Sequence, residues 1–172
     1  MANWKLLLAS PLLVLCANTV QASSYIGLDW TSFDVENTID DDLTPKGARL
    51  RLGFRFSDVF DIEAHLGSTD DNDSLVYDEF RLAFAGIYLK GYLPFGQRSA
   101  LYAMGGMAST MYEQTINGRE LSDSEADFSF GFGLETQLTH YLDLSADYMN
   151  YTSDIGGFSE VSAVNVGLKW YF

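Results

Sequence analysis

The last eleven residues of the chain constrain its fold more than any other stretch. From Ser162 to Phe172, every second residue lies on one face, which is apolar from Val164 onward and ends in Trp170 and Phe172. The residues between them are small or polar, apart from Tyr171. This two-residue period predicts a β-strand with one apolar face. An aromatic end on such a face favours a strand of a lipid-embedded barrel; the alternative is an edge strand of a secreted β-sandwich.

The first 22 residues have the features of a secretory signal. Lys5 supplies a positive charge, residues 6–16 form a short apolar core, and Val20-Gln21-Ala22 resembles a cleavage site. The core is shorter than the roughly 20 residues that a membrane-spanning helix needs. We therefore predict a signal peptide at 1–22 and a mature chain of 23–172, which would contain no cysteine and no disulfide.

The size and charge of the chain exclude several classes of protein. The 172 residues carry a formal charge of −14, which argues against nucleic-acid binding. A mature chain of this length fits one domain, and no long apolar run follows the signal.

The same two-residue period recurs along the mature chain. The predicted strands are residues 24–35, 46–56, 60–68, 79–92, 100–112, 126–136, 141–151 and 162–172. The facing of the fourth is ambiguous, and a bulge near Ala85 and Gly86 would reconcile its two halves. Connections after even-numbered strands are short and the others are longer; strands five and six are expected to extend outward and join at Asn117-Gly118. These features predict an all-β fold, an eight-stranded antiparallel up-and-down transmembrane β-barrel.

Strands two and three carry charges on the face opposite their apolar residues. A turn centred on Asp58 would place Arg55 opposite Asp61, Gly53 opposite Glu63, and Arg51 opposite His65. The expected lumen charge network, with a structural role, comprises Arg49, Arg51, Arg55, Asp61, Glu63 and His65. Such charges are tolerated inside a narrow barrel when they are paired. The alternatives are a selective ion path and a solvated sheet face.

The chain resembles the small outer-membrane β-barrel family, which includes the eight-stranded OmpA-like transmembrane domain and OmpX-like proteins. The resemblance rests on Tyr88-x-Lys90-x-Tyr92-x-Pro94, glycine-rich inner faces, and Asn165, Gly167, Trp170 and Phe172, which match the family's C-terminal assembly signal. It implies residence in the outer membrane of a Gram-negative bacterium, contact with membrane lipid and lipopolysaccharide, and insertion by the barrel assembly machinery. No peptidoglycan-binding domain is expected.

Particular residues suggest three further activities. The acidic stretches at 40–42 and 70–73 could bind Ca²⁺ or Mg²⁺ but match no calcium-loop motif, so solvated loops are expected. His65 and Ser68 could belong to a lipid A-modifying enzyme, but the family's His-x-Ser arrangement is absent and His140 lies at the other end of the barrel. Adhesion through protruding strands five and six is a third possibility, with an unknown external partner.

The expected role is structural or surface interaction, without catalysis and without a cofactor or metal. The main alternative is an exported soluble barrel that binds an apolar ligand. The two differ in sidedness, because a soluble barrel would turn its apolar face inward and expose Arg49 and Arg51.

Overall fold

The computed structural model describes residues 23–37, 45–69, 79–116, 119–152 and 158–172. The predicted signal peptide and both acidic stretches lie outside these residues. The strands are β1 (Ser23–Asn37), β2 (Lys46–Ser57), β3 (Phe60–Thr69), β4 (Glu79–Phe95), β5 (Ser99–Ile116), β6 (Arg119–Gln137), β7 (Leu142–Thr152) and β8 (Phe158–Tyr171). No helix in this described part of the chain is long and apolar enough to cross a membrane.

The eight strands form one closed barrel in which each strand pairs with its neighbour in sequence. All pairs are antiparallel, and β1 closes the barrel against β8 from Tyr25–Tyr171 to Asn37–Phe158. The predicted up-and-down topology is confirmed. The longest strands are β5 and β6, which stay paired up to Ile116–Arg119, in agreement with the predicted outward extension.

The connections define the two ends of the barrel. Residues 58–59, 96–98 and 138–141 form the short turns after β2, β4 and β6, and the chain also ends at this side. Short turns face the periplasm in outer-membrane barrels, so we call this the periplasmic end. The longer segments join strands at the opposite, outer end.

The barrel is apolar outside and polar inside. Leu28, Leu93 and Phe132 point outward and remain 64%, 67% and 60% exposed, whereas Arg51 is fully buried. An outer surface of this kind fits hydrocarbon, and closure leaves no strand edge unpaired in it. The soluble alternative, with its apolar face inward, is contradicted by this sidedness.

The bulge proposed for β4 is absent. Register is continuous from Glu79–Thr115 to Phe95–Ser99 against β5, and from Ser68–Ala83 to Phe60–Gly91 against β3. Phe84 is buried in the lumen, in phase with Tyr88 and Lys90. The ambiguity arose because Phe84 is an apolar residue on the inward face, which a pattern based on polarity assigns to lipid.

Candidate functional site in the barrel lumen

The middle of the lumen contains a network that joins opposite walls of the barrel. Arg49 on β2 donates from Nε to Asp29 of β1 at 2.7 Å and from its two terminal nitrogens to Asp147 of β7 at 3.0 and 2.6 Å. Arg51 also donates to Asp29, at 2.5 Å. All four side chains are almost completely buried. Pairing of this kind offsets the cost of burying charges.

Neutral side chains complete the hydrogen bonding of Asp147. The amide of Asn165 donates to its Oδ1 at 2.8 Å, and the hydroxyl of Tyr102 donates to its Oδ2 at 2.9 Å. Thr31 in turn donates to Oδ1 of the Asn165 side-chain amide at 2.7 Å. Asp147 thus accepts hydrogen bonds from the two terminal nitrogens of Arg49 and from two neutral donors, so that this buried carboxylate is fully hydrogen-bonded.

A second network fills the periplasmic half of the lumen. Arg55 donates to Asp61 at 2.9 Å, and Lys90 lies between Glu63 at 3.1 Å and Glu135 at 3.4 Å. The other contacts are Lys169 with Glu135, Tyr25 with Asp61 and Glu63, Tyr92 with Asp61, Tyr171 with Glu135, and His65 with Glu63. Three cations also lie over aromatic rings, of which Lys90 is closest to its ring, 3.6 Å from the centroid of Tyr102.

The outer part of the described lumen contains a cluster of buried apolar side chains. Phe33, Phe84 and Tyr151 form an outer aromatic cluster with ring centroids 4.6 to 5.9 Å apart, and all three are buried. Met149, Val161 and Ala163 pack in the same core. The described lumen is therefore filled by ion pairs at the periplasmic half and middle, and by aromatic rings nearer the outer end.

The periplasmic end opens into a polar cavity of about 220 Å³. Its inner wall includes Arg55, Tyr92 and Glu135 of the periplasmic network, and its rim includes Asp58 and Arg98 from two turns. The cavity is a vestibule whose inner boundary is the ion-pair network itself.

The six residues expected to form the charge network all lie on the inward face, but they belong to two networks. In β2–β3 the register places Arg55 opposite Asp61 and Arg51 opposite His65, as the turn at Asp58 predicts. Only Arg55–Asp61 becomes a direct ion pair within this hairpin. Arg49 and Arg51 instead pair with carboxylates of other strands.

Sequence reasoning missed five charged members of the networks: Asp29, Lys90, Glu135, Asp147 and Lys169. Their alternating positions on β1, β4, β6, β7 and β8 were the available signal, and most were assigned inward. Their pairing could not be read from strand register, because contacts such as Arg49–Asp147 cross the lumen between non-adjacent strands.

The residues considered for catalysis do not converge. His65 points into the lumen and is fully buried, whereas Ser68, three residues later, is exposed on the outer face of β3. His140 lies exposed in a periplasmic turn. Among the described residues, no group of three or more His, Cys, Asp or Glu is arranged to hold a metal ion. A nucleophile and base must be within hydrogen-bond reach, which His65 and Ser68 are not placed to achieve.

The C-terminal motif divides between the two faces of β8. Asn165 is buried in the central network, and Gly167 lies so close to β1 that a Cβ atom would collide with the Leu28 carbonyl oxygen and the Asp29 carboxylate. Trp170 and Phe172 point outward and are 60% and 77% exposed. The motif thus combines two positions that pack the lumen with two that face the membrane.

A closed barrel with an apolar exterior and a lumen of paired charges defines an integral outer-membrane β-barrel. The sequence agrees with this class over nearly its whole length. The chain belongs to the family described as the outer membrane protein β-barrel domain, whose family model matches residues 7–172. The protein accordingly resides in the outer membrane of a Gram-negative bacterium, and the resemblance inferred from its motifs is confirmed.

Solved structures of other small barrels have the same fold. Neisserial surface protein A is 14% identical, with a TM-score of 0.74, over 88% of this chain and 99% of that one. The attachment invasion locus protein Ail of Yersinia pestis is 16% identical, with a TM-score of 0.68, over 89% and 100%. OprG of Pseudomonas aeruginosa is 11% identical, with a TM-score of 0.60, over 87% and 96%. No curated protein sequence is significantly similar to the chain.

Proposed function

We propose that this protein is a non-catalytic outer-membrane barrel with a structural and surface-interaction role. The observation that carries the proposal is the filled lumen, in which buried ion pairs and the outer aromatic cluster occupy the space that a channel would need. A barrel of eight strands has an interior just wide enough to be packed by side chains. The surfaces that remain for interaction with other molecules are then the lipid-facing wall and the two ends of the barrel.

A small-conductance pore is the competing function. An ion crossing the lumen would have to separate pairs such as Arg49–Asp147 and then pass the ring of Phe84. Removing one partner of a buried pair costs about 3–5 kcal/mol, because the other charge stays buried. This energetic cost opposes conduction unless the ion-pair network and the outer aromatic cluster both rearrange.

Conductance recording in planar bilayers tests the closed lumen. We expect no stepwise currents from the purified wild-type barrel. The matched control is Phe132→Ala, which shortens a lipid-facing ring and leaves the lumen intact. Reproducible unit steps from the wild type, retained in Phe132→Ala, would contradict the proposal and favour the pore.

The surface role is supported by a strong separation of charge along the barrel axis. Residues 34–46, 70–81, 113–127 and 154–160, which include the outer connections and adjoining strand ends, contain 17 acidic and 3 basic residues. Their formal charge of −14 equals the net charge of the whole chain. The charges of the remaining residues therefore balance, and the outer end attracts cationic partners and repels anionic ones.

This charge separation predicts a partner unlike the one reported for Ail, whose structure was determined with the heparin analogue sucrose octasulfate, a polyanion. We expect the present barrel in vesicles to bind an oligolysine peptide and not the octasulfate. The binding should weaken steeply as salt is raised, because exposed charges are screened. Tight binding of the octasulfate would exclude a cationic preference.

Two contacts within the envelope belong to the same proposal. Divalent cations would be required for the acidic outer end to lie beside lipopolysaccharide phosphates, since both are anionic. Trp170 and Phe172 are the outward residues of the C-terminal motif and are proposed as the surface read by the barrel assembly machinery.

A further inference from the structure

Among the described residues, one buried carboxylate at the periplasmic end has no cation of its own. Asp143 on β7 is 7% exposed and lies in the wall of the vestibule. Its carboxyl group contacts Glu135 and Tyr171, and it forms no ion pair within the described part of the chain. Lys169 pairs with Asp143 across β7 and β8, but its ammonium group contacts Glu135 instead. A buried carboxylate is costly to keep ionised unless a positive charge reaches it.

The charges around Asp143 leave an excess of one negative charge. The periplasmic network together with Asp143 contains four carboxylates and three cations: Asp61, Glu63, Glu135 and Asp143 against Arg55, Lys90 and Lys169. In the central network, by contrast, two arginines face two aspartates, so its charges balance.

His65 does not supply the missing positive charge. Its Nε2 bonds to Glu63 at 2.8 Å, and its buried Nδ1 has no hydrogen-bond partner among the described residues. A protonated imidazole donates from both nitrogens, so it would need an acceptor at Nδ1 as well. His65 is therefore neutral, and the excess charge remains with Asp143.

The vestibule gives a cation a route to Asp143. It opens at the periplasmic end, and its volume of about 220 Å³ is several times the roughly 30 Å³ that one water molecule occupies in the liquid. The ion-pair network forms its inner boundary, so a cation reaches Asp143 from the periplasm. Asp58, Ser99 and Gln137 contribute further oxygen atoms to the lining.

The size of the excess charge selects the kind of cation. One negative charge is matched by one positive charge, whereas Ca²⁺ and Mg²⁺ prefer six or more oxygen ligands. No group of three or more His, Cys, Asp or Glu is arranged to hold a metal ion in the part of the chain that the structure describes. At the rim, Arg98 and Asp58 are both exposed, and their opposite charges cancel.

We propose that the vestibule binds a small monovalent cation, either an alkali-metal ion or a primary ammonium group, with Asp143 as its main ligand and Glu135 beside it. Such a cation and a proton neutralise the same carboxylate, so they compete for it. The site goes beyond the proposed surface role, because it lies at the opposite end of the barrel from the acidic outer connections.

Carbon-13 NMR of the Asp143 carboxyl group tests the site in the refolded barrel, reconstituted in lipid nanodiscs. The pH midpoint of its titration is measured in sodium chloride, in methylammonium chloride and in tetrabutylammonium chloride at one ionic strength, so that screening is equal. A bound cation favours the ionised carboxylate, and the bulky quaternary cation cannot approach it closely. The midpoint should therefore be lower in a small-cation salt, by about one pH unit when that cation is tenfold above its dissociation constant.

Two variants make the assignment specific. Asp143→Asn should remove the titrating signal. Asp58→Asn, which removes an exposed carboxylate from the same vestibule, is the matched control and should keep the difference between the salts. In a second measurement, sodium should raise the free energy of unfolding relative to tetrabutylammonium in the wild type and in Asp58→Asn, and this difference should be lost in Asp143→Asn. Heat-modifiable migration verifies that every variant is folded.

Three results would overturn the proposal. Equal midpoints in all three salts would mean that the salts act by screening alone, and a carboxyl group that stays protonated in every salt would need no cation. If Arg98→Gln raises the midpoint as much as withdrawal of the small cation does, the turn arginine supplies the counter-charge instead. These measurements do not involve the outer end, so their failure leaves the proposed surface role standing, and conductance by the wild type leaves the cation site standing.

Discussion

Arg49 lies between Asp29 and Asp147, two carboxylates that come from opposite parts of the chain. Its Nε and terminal nitrogens donate to them at 2.6 to 3.0 Å, and the side chain is fully buried. One guanidinium therefore links β1, β2 and β7 across the lumen.

Arg49→Leu should destabilise the barrel by about 3–5 kcal/mol, because it leaves the buried Asp147 carboxylate without its cation and leaves Asp29 paired with Arg51 alone. Equilibrium urea unfolding in lipid vesicles measures the change in the free energy of unfolding. Arg98→Leu, at an exposed turn, is the control and should shift it by no more than about 0.5 kcal/mol. Equal effects of the two substitutions would mean that the central network contributes little.

Phe84→Ala should cost about 3–5 kcal/mol, because it opens a cavity between Phe33 and Tyr151 that the surrounding barrel cannot collapse to fill. The same substitution at Phe132, on the lipid-facing wall, should cost less, since acyl chains can occupy the vacated space. Unfolding of both variants under identical conditions gives the comparison. A larger loss for Phe132→Ala would contradict the assignment of the aromatic cluster to the lumen.

Leu28→Arg should destabilise the membrane-embedded barrel by about 2–4 kcal/mol if its position is near the bilayer midplane. Phe95→Arg, at the periplasmic end of β4, should cost only about 0–1 kcal/mol, because its charge reaches the interface. The ratio of the two effects reports depth directly. As an independent check, a spin label at Leu52 should be in hydrocarbon, and finding it in water would reverse the sidedness of the barrel.

Gly167→Ala should impair closure of β1 against β8, because the added Cβ would meet the Leu28 carbonyl oxygen and the Asp29 carboxylate. Gly91→Ala adds the same methyl group where only the Phe60 ring is near, and it should leave the barrel unchanged or slightly more stable. The fraction of heat-modifiable, folded protein on a denaturing gel distinguishes them. Normal folding of Gly167→Ala would show that the strands can separate at no cost.

Trp170→Ala and Phe172→Ala should slow assembly in cells while leaving spontaneous refolding into vesicles nearly unchanged. The physical reason is that both side chains are exposed to lipid and pack little within the barrel. Trp30→Ala, which removes an outward-facing Trp of β1, is the matched control. If the C-terminal variants assemble at the wild-type rate, the proposed assembly signal is wrong.

The alternation of polar and apolar residues predicted the strands correctly. It failed where an apolar side chain points into the lumen or where a contact crosses the lumen. The alternation in residues 46–56 and 60–68 gave both strands and the register opposite Arg55, because hairpin pairing is local. Phe84 made the facing of β4 ambiguous, because it is apolar but points into the lumen, and apolar residues of a membrane barrel are expected to face lipid. The Arg49–Asp147 pair could not be foreseen, because it depends on which walls face each other across the closed lumen.

The partners of Arg49 have a consequence for how the protein enters the membrane. Asp29 is present from the first strand, but Asp147 arrives only with the seventh, after most of the sheet exists. A partly assembled sheet that faces hydrocarbon would hold an arginine there without its carboxylate partner. Half-inserted states are therefore unfavourable until β1 pairs with β8 and closes the barrel. Insertion is then expected to be a single cooperative event that needs a hydrated, sheltered route for the growing sheet.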